Sequence, residues 1–135
     1  MNHERRRFLQ TLALGAALPI VPRLLGCGAG KAYDATGTGE VRVPLAMLPV
    51  GGRLHVTLDG DTVELTRRED EIVARSMVCT HQGCEVEWVD EENAYVCPCH
   101  EGKFNAQGDP IYGSPRRPLK LFSVTREGNE LVVRA

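Results

Sequence analysis

Aromatic residues and excess positive charge are both scarce in this chain of 135 residues. Aromatic side chains make up 5% of the sequence, so a folded core has to be built mainly from aliphatic side chains. The formal net charge is −2, and beyond the first 26 residues there are 12 basic and 17 acidic residues. Because phosphate binding requires a basic surface, this composition argues against nucleic acid as a partner. The length is enough for one small domain.

The N-terminal apolar run is too short for a membrane-spanning helix. Such a helix needs roughly 20 apolar residues, whereas this run covers residues 11–21 and follows three arginines, Arg5–Arg7. A charged start before roughly 7–15 apolar residues is typical of a secretory signal. Paired arginines followed by Phe8 and Leu9 resemble the twin-arginine export signal. We therefore expect residues 1–26 to be a twin-arginine signal peptide, with an ordinary secretory signal or an uncleaved anchor as the alternatives.

The segment after this signal predicts a membrane tether. The sequence Leu24-Leu25-Gly26-Cys27 resembles the lipobox of bacterial lipoproteins, in which the signal is cut before the cysteine and the thiol is acylated. Residues 28–39 contain four glycines among mostly alanine and threonine, a composition typical of a flexible linker. We expect an exported protein that is lipid-anchored through Cys27 on the periplasmic side of a membrane. An unmodified thiol is the alternative.

Sustained helical spacing is absent after residue 39, where short runs of alternating apolar and polar residues begin. Residues 53–58 alternate before Asp59-Gly60, and residues 61–65 alternate after it. Aspartate and glycine tolerate the positive φ of a tight hairpin turn. These two runs therefore predict a β-hairpin.

Two further hairpins are predicted in the second half of the chain. Leu119 and Leu121 alternate before the turn-forming residues 127–129, and residues 131–133 alternate after them. Residues 85–96 likewise place apolar residues on both sides of a polar turn, residues 90–93. Several short strands with frequent turns predict an all-β fold for residues 40–135, in the form of an antiparallel sandwich.

Five cysteines are many for a chain of this length, and four of them lie in two short boxes with two histidines. The boxes are Cys79-Thr80-His81-Gln82-Gly83-Cys84 and Cys97-Pro98-Cys99-His100-Glu101-Gly102. Each offers a soft thiolate and an imidazole at a tight spacing, and such mixed ligation is typical of a Rieske [2Fe–2S] centre. A structural zinc site is the alternative, but zinc pairs are usually Cys-x₂₋₄-Cys and His-x₃₋₅-His. His55 has no neighbouring ligand and is predicted to be a surface residue.

From residue 40 onward the chain resembles a Rieske domain, close to the disulfide-containing type of cytochrome bc complexes and of the arsenite oxidase small subunit. The resemblance implies a Rieske-type β-sandwich with two cluster-binding loops and one [2Fe–2S] cluster. It also implies that Cys79 and Cys97 bind one iron while His81 and His100 bind the other.

The same resemblance implies a disulfide between Cys84 and Cys99 and a proline-bearing third loop, residues 113–119, that covers the cluster. High-potential relatives carry serine and tyrosine hydroxyls where this chain has Gly102 and Phe104. Rieske potentials span roughly −150 to +300 mV. We therefore expect a value in the lower or middle part of that range.

The resemblance implies one-electron transfer. The first interpretation is a membrane-tethered carrier between redox proteins, for example toward a c-type cytochrome. The alternative is a subunit of a larger oxidoreductase, either a quinol–cytochrome c reductase or an arsenite oxidase. Gln82 replaces the apolar residue common at the tip of the first box, which weakens the case for quinone docking. An oxygenase component would need a far larger chain.

Overall fold

The computed structural model describes residues 35–135, and its regular structure consists of strands and two short 3₁₀ turns, Leu45–Met47 and Asp90–Glu92. The strands of this part of the chain are β1 (Thr36–Gly37), β2 (Glu40–Pro44), β3 (Arg53–Leu58), β4 (Asp61–Arg68), β5 (Glu71–Ser76), β6 (Glu87–Val89), β7 (Ala94–Val96), β8 (Lys103–Phe104), β9 (Pro110–Tyr112), β10 (Leu121–Glu127) and β11 (Glu130–Arg134). The predicted all-β class is confirmed. Within these residues, no helix has the length and apolar character needed to cross a membrane.

The larger of two sheets has seven strands in the order β1-β3-β4-β5-β10-β11-β2. Its neighbours pair antiparallel except for the short parallel pair of β1 with β3. The two edge strands, β1 and β2, lie against each other, so the sheet curves into a barrel-like shape. Its interior is almost entirely aliphatic, as the composition predicts, and includes the fully buried Leu58, Leu65 and Leu131.

The hairpin predicted at Asp59-Gly60 joins β3 to β4. Leu58 pairs with Asp61, which leaves a two-residue turn in which Asp59 and Gly60 have φ of 53° and 88°. Two positive φ values in succession are what a type I′ hairpin turn requires. The turn therefore fixes the register that places Val56 and Val63 in the core.

The hairpin predicted around residues 127–129 is also present, since β10 pairs with β11 up to Glu127 and Glu130. The expected alternation through Leu121 is wrong, however. Leu119 is buried, but β10 begins at Leu121, which is 59% exposed, and Phe122 is the buried neighbour. The alternation of buried and exposed residues shifts by one position between Leu119 and β10. Leu119 belongs to the core beneath the boxes, whereas Phe122 belongs to the core of the large sheet.

The smaller sheet has four strands in the order β6-β7-β8-β9. Its first pair is the hairpin predicted within residues 85–96, with Asn93 at φ 48° closing the turn. It packs around its own small core, which includes Val86, Tyr95 and Phe104. This sheet carries both cysteine–histidine boxes.

The boundary expected at residue 40 differs from the structure. Ala35 is buried, and its carbonyl accepts a hydrogen bond from the amide of Thr57. The Gly39 amide donates to Oδ1 of Asp59. Residues 35–39 therefore belong to the folded domain, because backbone pairing with β3 needs no bulky side chains. The expected signal, residues 1–26, and the expected lipid site at Cys27 lie outside the described residues.

Candidate metal centre

The two boxes form loops at the open end of the β6–β7 hairpin. A bridge between Val78 and Glu85 closes the first loop at its base. Inside it, the Cys79 amide donates to the carbonyl of Cys84 at 2.7 Å. The second loop runs from β7 to β8, and the Cys97 amide donates to the carbonyl of Gly102 at 2.8 Å. Local backbone hydrogen bonds thus hold each box in a tight turn.

Two free thiols lie beneath these loops. Cys79 and Cys97 are both buried and neither is in a disulfide. Burial raises the pKa of the Cys79 thiol, and the neighbouring Cys97 raises it further, while the backbone amides of His81 and Gln82 act in the opposite direction. A buried thiol that resists ionisation without a cation becomes a thiolate when a metal supplies positive charge.

Two imidazoles lie at the surface of the same site. The ring centroids of His81 and His100 are 5.2 Å apart, and the ring planes are inclined by 78°. Both histidines are exposed. The site therefore offers sulfur donors on its buried side and nitrogen donors on its solvent side. His55 is exposed, as predicted.

The predicted disulfide between Cys84 and Cys99 is present, with Cα atoms 6.5 Å apart. It joins the two loops covalently. The Cys97 sulfur lies within 4.8 Å of both disulfide sulfurs, but sulfurs bonded to each other carry no thiolate and are not metal ligands of this kind. Among the described cysteines, Cys79 and Cys97 remain as sulfur donors.

The proline-bearing segment, residues 113–119, packs against both boxes. Pro115 is buried and so close to Gly102 that a Cβ added to this glycine would lie 2.7 Å from the proline Cγ. The Thr80 hydroxyl donates to the carbonyl of Arg117 at 2.7 Å. The segment thus has the position expected of the third loop.

The Gly83 amide faces a carbonyl and not a sulfur of the site. It donates to the carbonyl of Cys79 at 3.0 Å. The amides that interact with the Cys79 sulfur are those of His81 and Gln82. Gly83 instead supplies the positive φ, 79°, that turns the chain back toward Cys84.

A buried polar network behind the boxes was not predicted. Glu64 is completely buried, and both of its carboxylate oxygens accept hydrogen bonds from Nη1 of Arg53, at 2.5 and 2.7 Å. The hydroxyl of buried Tyr95 lies 3.4 Å from the same oxygens and accepts a hydrogen bond from Nη1 of Arg75 at 3.0 Å. Tyr95 belongs to the small sheet and Glu64 to the large one. The network therefore fastens the box-bearing sheet to the rest of the domain.

The partners of Arg53 in this network stabilise its positive charge. Burial alone would lower the pKa of Arg53, but Tyr95 and Glu64 outweigh this effect and raise it. The guanidinium also lies over the Trp88 ring, 3.8 Å from the ring centroid, a favourable cation–π distance. Glu64 and Arg75 are direct partners in the register of β4 and β5. Their opposite charges are the feature of the sequence that could have indicated this network.

The donor set fits a metal cluster with mixed ligation. It offers two buried thiols and two imidazoles on loops that a disulfide holds together. Fold and site together define a small all-β metal-binding protein of the electron-transfer class.

Comparison with known proteins gives the family. The Rieske [2Fe-2S] domain family matches residues 41–123. The cytochrome b6-f complex iron-sulfur subunit of Chlorobaculum thiosulfatiphilum is 40% identical over 142 residues, which cover 98% of this chain and 76% of that protein. The chain belongs to the Rieske family, and it functions in one-electron transfer with one [2Fe–2S] cluster.

Two solved structures agree with this assignment. The plasma membrane Rieske protein PetC3 from Synechocystis PCC 6803 superimposes with a TM-score of 0.54 at 31% identity, covering 62% of this chain and 87% of that one. A chain of a hyperthermophilic respiratory Complex III gives a TM-score of 0.55 at 28% identity, covering 67% and 71%.

Proposed function

We propose that this protein is the Rieske electron-transfer subunit of a quinol-oxidising membrane complex. The observation that carries the proposal is the arrangement of the boxes, with two free thiols buried and two imidazoles side by side at the surface. Relatives named as subunits of the cytochrome b6-f complex and of respiratory Complex III support this class of partner.

Cys79 and Cys97 would bind one iron of the cluster, and His81 and His100 would bind the other. When bound, the cluster supplies one-electron redox chemistry at a higher potential than all-cysteine clusters. The two thiols hold it from the core side. The exposed imidazoles place the redox site next to a docking partner, and the disulfide keeps the two ligand loops at a fixed separation.

Export and lipid anchoring at Cys27 are part of the proposal. The Cys84–Cys99 disulfide supports an oxidising compartment. Mass spectrometry of the protein from native membranes should show a mature N-terminus at Cys27 with acyl chains. An intact residue 1–26 segment, or an unmodified Cys27, would contradict the anchor and leave the ligand assignment untouched.

The ligand assignment is tested by iron and acid-labile sulfide analysis with EPR of the reduced protein. The native chain should contain two irons and two sulfides and give a Rieske signal. Cys97→Ser should lose the cluster, whereas the matched surface variant His55→Ala should keep it. Retention of full iron and sulfide by Cys97→Ser would overturn the assignment.

A free, tethered carrier is the second candidate. Gln82 favours it, because this exposed amide lies beside His81 where an apolar residue would favour quinone docking. Native gel electrophoresis of solubilised membranes separates the two. Comigration with a cytochrome-containing complex supports the subunit, and migration at the size of the single chain supports the carrier.

A further inference from the structure

Arg75 is a buried charged residue that lies outside the proposed ligand set. Its backbone belongs to the seven-stranded sheet, where it pairs with Glu64 on β4 and with Leu121 on β10. Its side chain leaves that sheet and reaches the four-stranded one, and only 6% of the residue is exposed. Because a buried charge is costly unless it is paired and hydrogen-bonded, the contacts of this guanidinium indicate its role.

One arm of the guanidinium contacts the strand that leads into the second box. Nη1 of Arg75 donates to the Tyr95 hydroxyl at 3.0 Å, and the guanidinium carbon lies 5.4 Å from the centroid of the Tyr95 ring. Tyr95 lies two residues before Cys97, and side chains two residues apart in extended backbone point to the same face. Both residues are buried in the core beneath the boxes. A contact that fixes Tyr95 therefore also fixes the position from which Cys97 enters the site.

The other arm contacts the turn between β8 and β9. Nη2 of Arg75 donates to the carbonyl of Gln107 at 2.8 Å. The turn is held in one conformation by the Asn105 side chain, whose Oδ1 accepts hydrogen bonds from the amides of Gln107 and Asp109, both at 2.9 Å. The guanidinium therefore joins the strand before the second box to an ordered turn on the far side of β8.

The same turn holds the end of the third loop. The Gly108 carbonyl accepts a hydrogen bond at 2.9 Å from the amide of Leu119, the last residue of that loop. Gly108 also lies directly against the guanidinium, since a Cβ added to it would be 2.6 Å from Nε of Arg75. This nitrogen has no hydrogen-bond partner within the described residues. The guanidinium is thus held by its two Nη groups, in a space that exists because residue 108 has no side chain.

We propose that Arg75 is a positioning residue for the cluster, because its guanidinium holds the second box and the third loop in one arrangement relative to each other. The guanidinium fork is planar and rigid, so its two Nη groups hold two acceptors in one geometry, whereas a lysine ammonium on a flexible stem does not. Residues that orient metal ligands without touching the metal change metal affinity or activity by roughly 10–100-fold when they are mutated. The proposal rests on the assignment of Cys97 as a cluster ligand.

Two variants of the full-length holoprotein test this role. Arg75→Lys keeps the positive charge but lacks the fork, and Gly108→Ala keeps the arginine but pushes against its Nε. Both variants should release iron to a chelator about tenfold faster than the native protein. The EPR lines of the reduced cluster should broaden, because the two loops no longer have one arrangement. Hydrogen exchange of residues 113–119, measured by mass spectrometry, should become faster, since the acceptor of the Leu119 amide is no longer fixed.

The control is Val56→Ala, which leaves a cavity in the core of the large sheet and lowers the melting temperature. Its EPR lines, iron release and exchange of residues 113–119 should remain native, whereas a purely structural role of Arg75 predicts equal changes at equal stability. The double variant Arg75→Lys/Gly108→Ala should release iron more slowly than the two single effects combined predict, because both changes act on one contact. The proposal is overturned if either single variant keeps the native values, or if Val56→Ala changes them as much. Failure of the ligand assignment is seen separately, as full iron and sulfide in Cys97→Ser.

Discussion

Arg53 and Glu64 form the tightest ion pair across the interior of the domain, with Nη1 of the arginine 2.5 Å from one carboxylate oxygen and 2.7 Å from the other. Glu64 is completely buried, whereas the Arg53 side chain is 31% exposed. Because the carboxylate has no access to solvent, the positive charge of Arg53 is the main compensation for the cost of burying its negative charge. The pair lies next to the Tyr95 hydroxyl, two residues before Cys97.

We therefore expect Arg53→Met to destabilise the domain by roughly 2–4 kcal/mol, somewhat below the usual cost of stranding a buried charge, because water reaches Arg53. Chemical denaturation measures this free energy of unfolding. The double variant Arg53→Met/Glu64→Leu should lose less than the sum of the two single variants, since it strands no charge. Additive losses would mean that the pair is not coupled.

The burial of Glu64 also shows where sequence reasoning stops. Alternation along β4 places Val63 and Leu65 inward and Glu64 outward, and this holds for a sheet with one solvent face. Here Val63, Glu64 and Leu65 are all buried, because the small sheet covers the other face through Tyr95. Alternation cannot reveal that a second sheet packs there.

Features that depend on neighbouring residues in the sequence, by contrast, were predicted correctly. The Asp59-Gly60 turn followed from the backbone freedom of its two residues, and the pairing of the boxes followed from the hairpin between them. The Cys84–Cys99 bond was implied by family resemblance. The expected alternation through Leu121 was wrong because Leu119 and Phe122 belong to two different cores, and the sequence does not show where the chain passes from one core to the other.

Removal of the disulfide should make the domain less stable and the cluster easier to lose. The bond spans 15 residues, for which the chain-entropy model gives about 3 kcal/mol. Cys84→Ser/Cys99→Ser should therefore unfold at lower denaturant concentration and release iron to a chelator faster. His55→Ala is the control, since His55 is exposed and lies outside the boxes. Iron release at the native rate would show that the third loop alone holds the boxes together.

This chain lacks two hydroxyls in and just after the second box, at Gly102 and Phe104. A single substitution can restore the one at Phe104. Phe104 is completely buried in the same core as Cys97. Phe104→Tyr should raise the midpoint potential in a redox titration, because a hydrogen bond to a cluster sulfur favours the reduced state. An unchanged or lower midpoint with a native spectrum would contradict this assignment.

Gly102→Ser should behave differently from Phe104→Tyr. A Cβ at Gly102 would lie 2.7 Å from Pro115 and 2.8 Å from the next atom of the same ring. The added hydroxymethyl group must push the third loop away, at a cost of roughly 1–3 kcal/mol for overpacking. Denaturation and the rate of iron loss measure this cost. The control is Gly102→Ser combined with Pro115→Ala, since this second change removes the ring atoms that the added Cβ would meet. The double variant should lose less stability than the sum of its two single variants, and additive losses would refute the packing argument.

The acid sensitivity of the domain should depend on Glu127. Its carboxylate pairs with Arg134 at 3.2 Å and with Arg42 at 3.0 Å, and these arginines lower the pKa of Glu127 below its ordinary 4.5. A lowered pKa in the folded state stabilises it above pH 4.5, and this contribution is lost as the pH falls through the folded value. Glu127→Gln should therefore flatten the decline of unfolding free energy below about pH 4.5.

The control for this experiment is Glu91→Gln, since Glu91 is exposed and forms no ion pair within residues 35–135. Because Glu127 is at the surface, the difference between Glu127→Gln and the native protein should shrink at high salt, where surface charges are screened. If Glu91→Gln flattens the acid limb as much as Glu127→Gln, the effect arises from net charge and not from the pairing with Arg42 and Arg134.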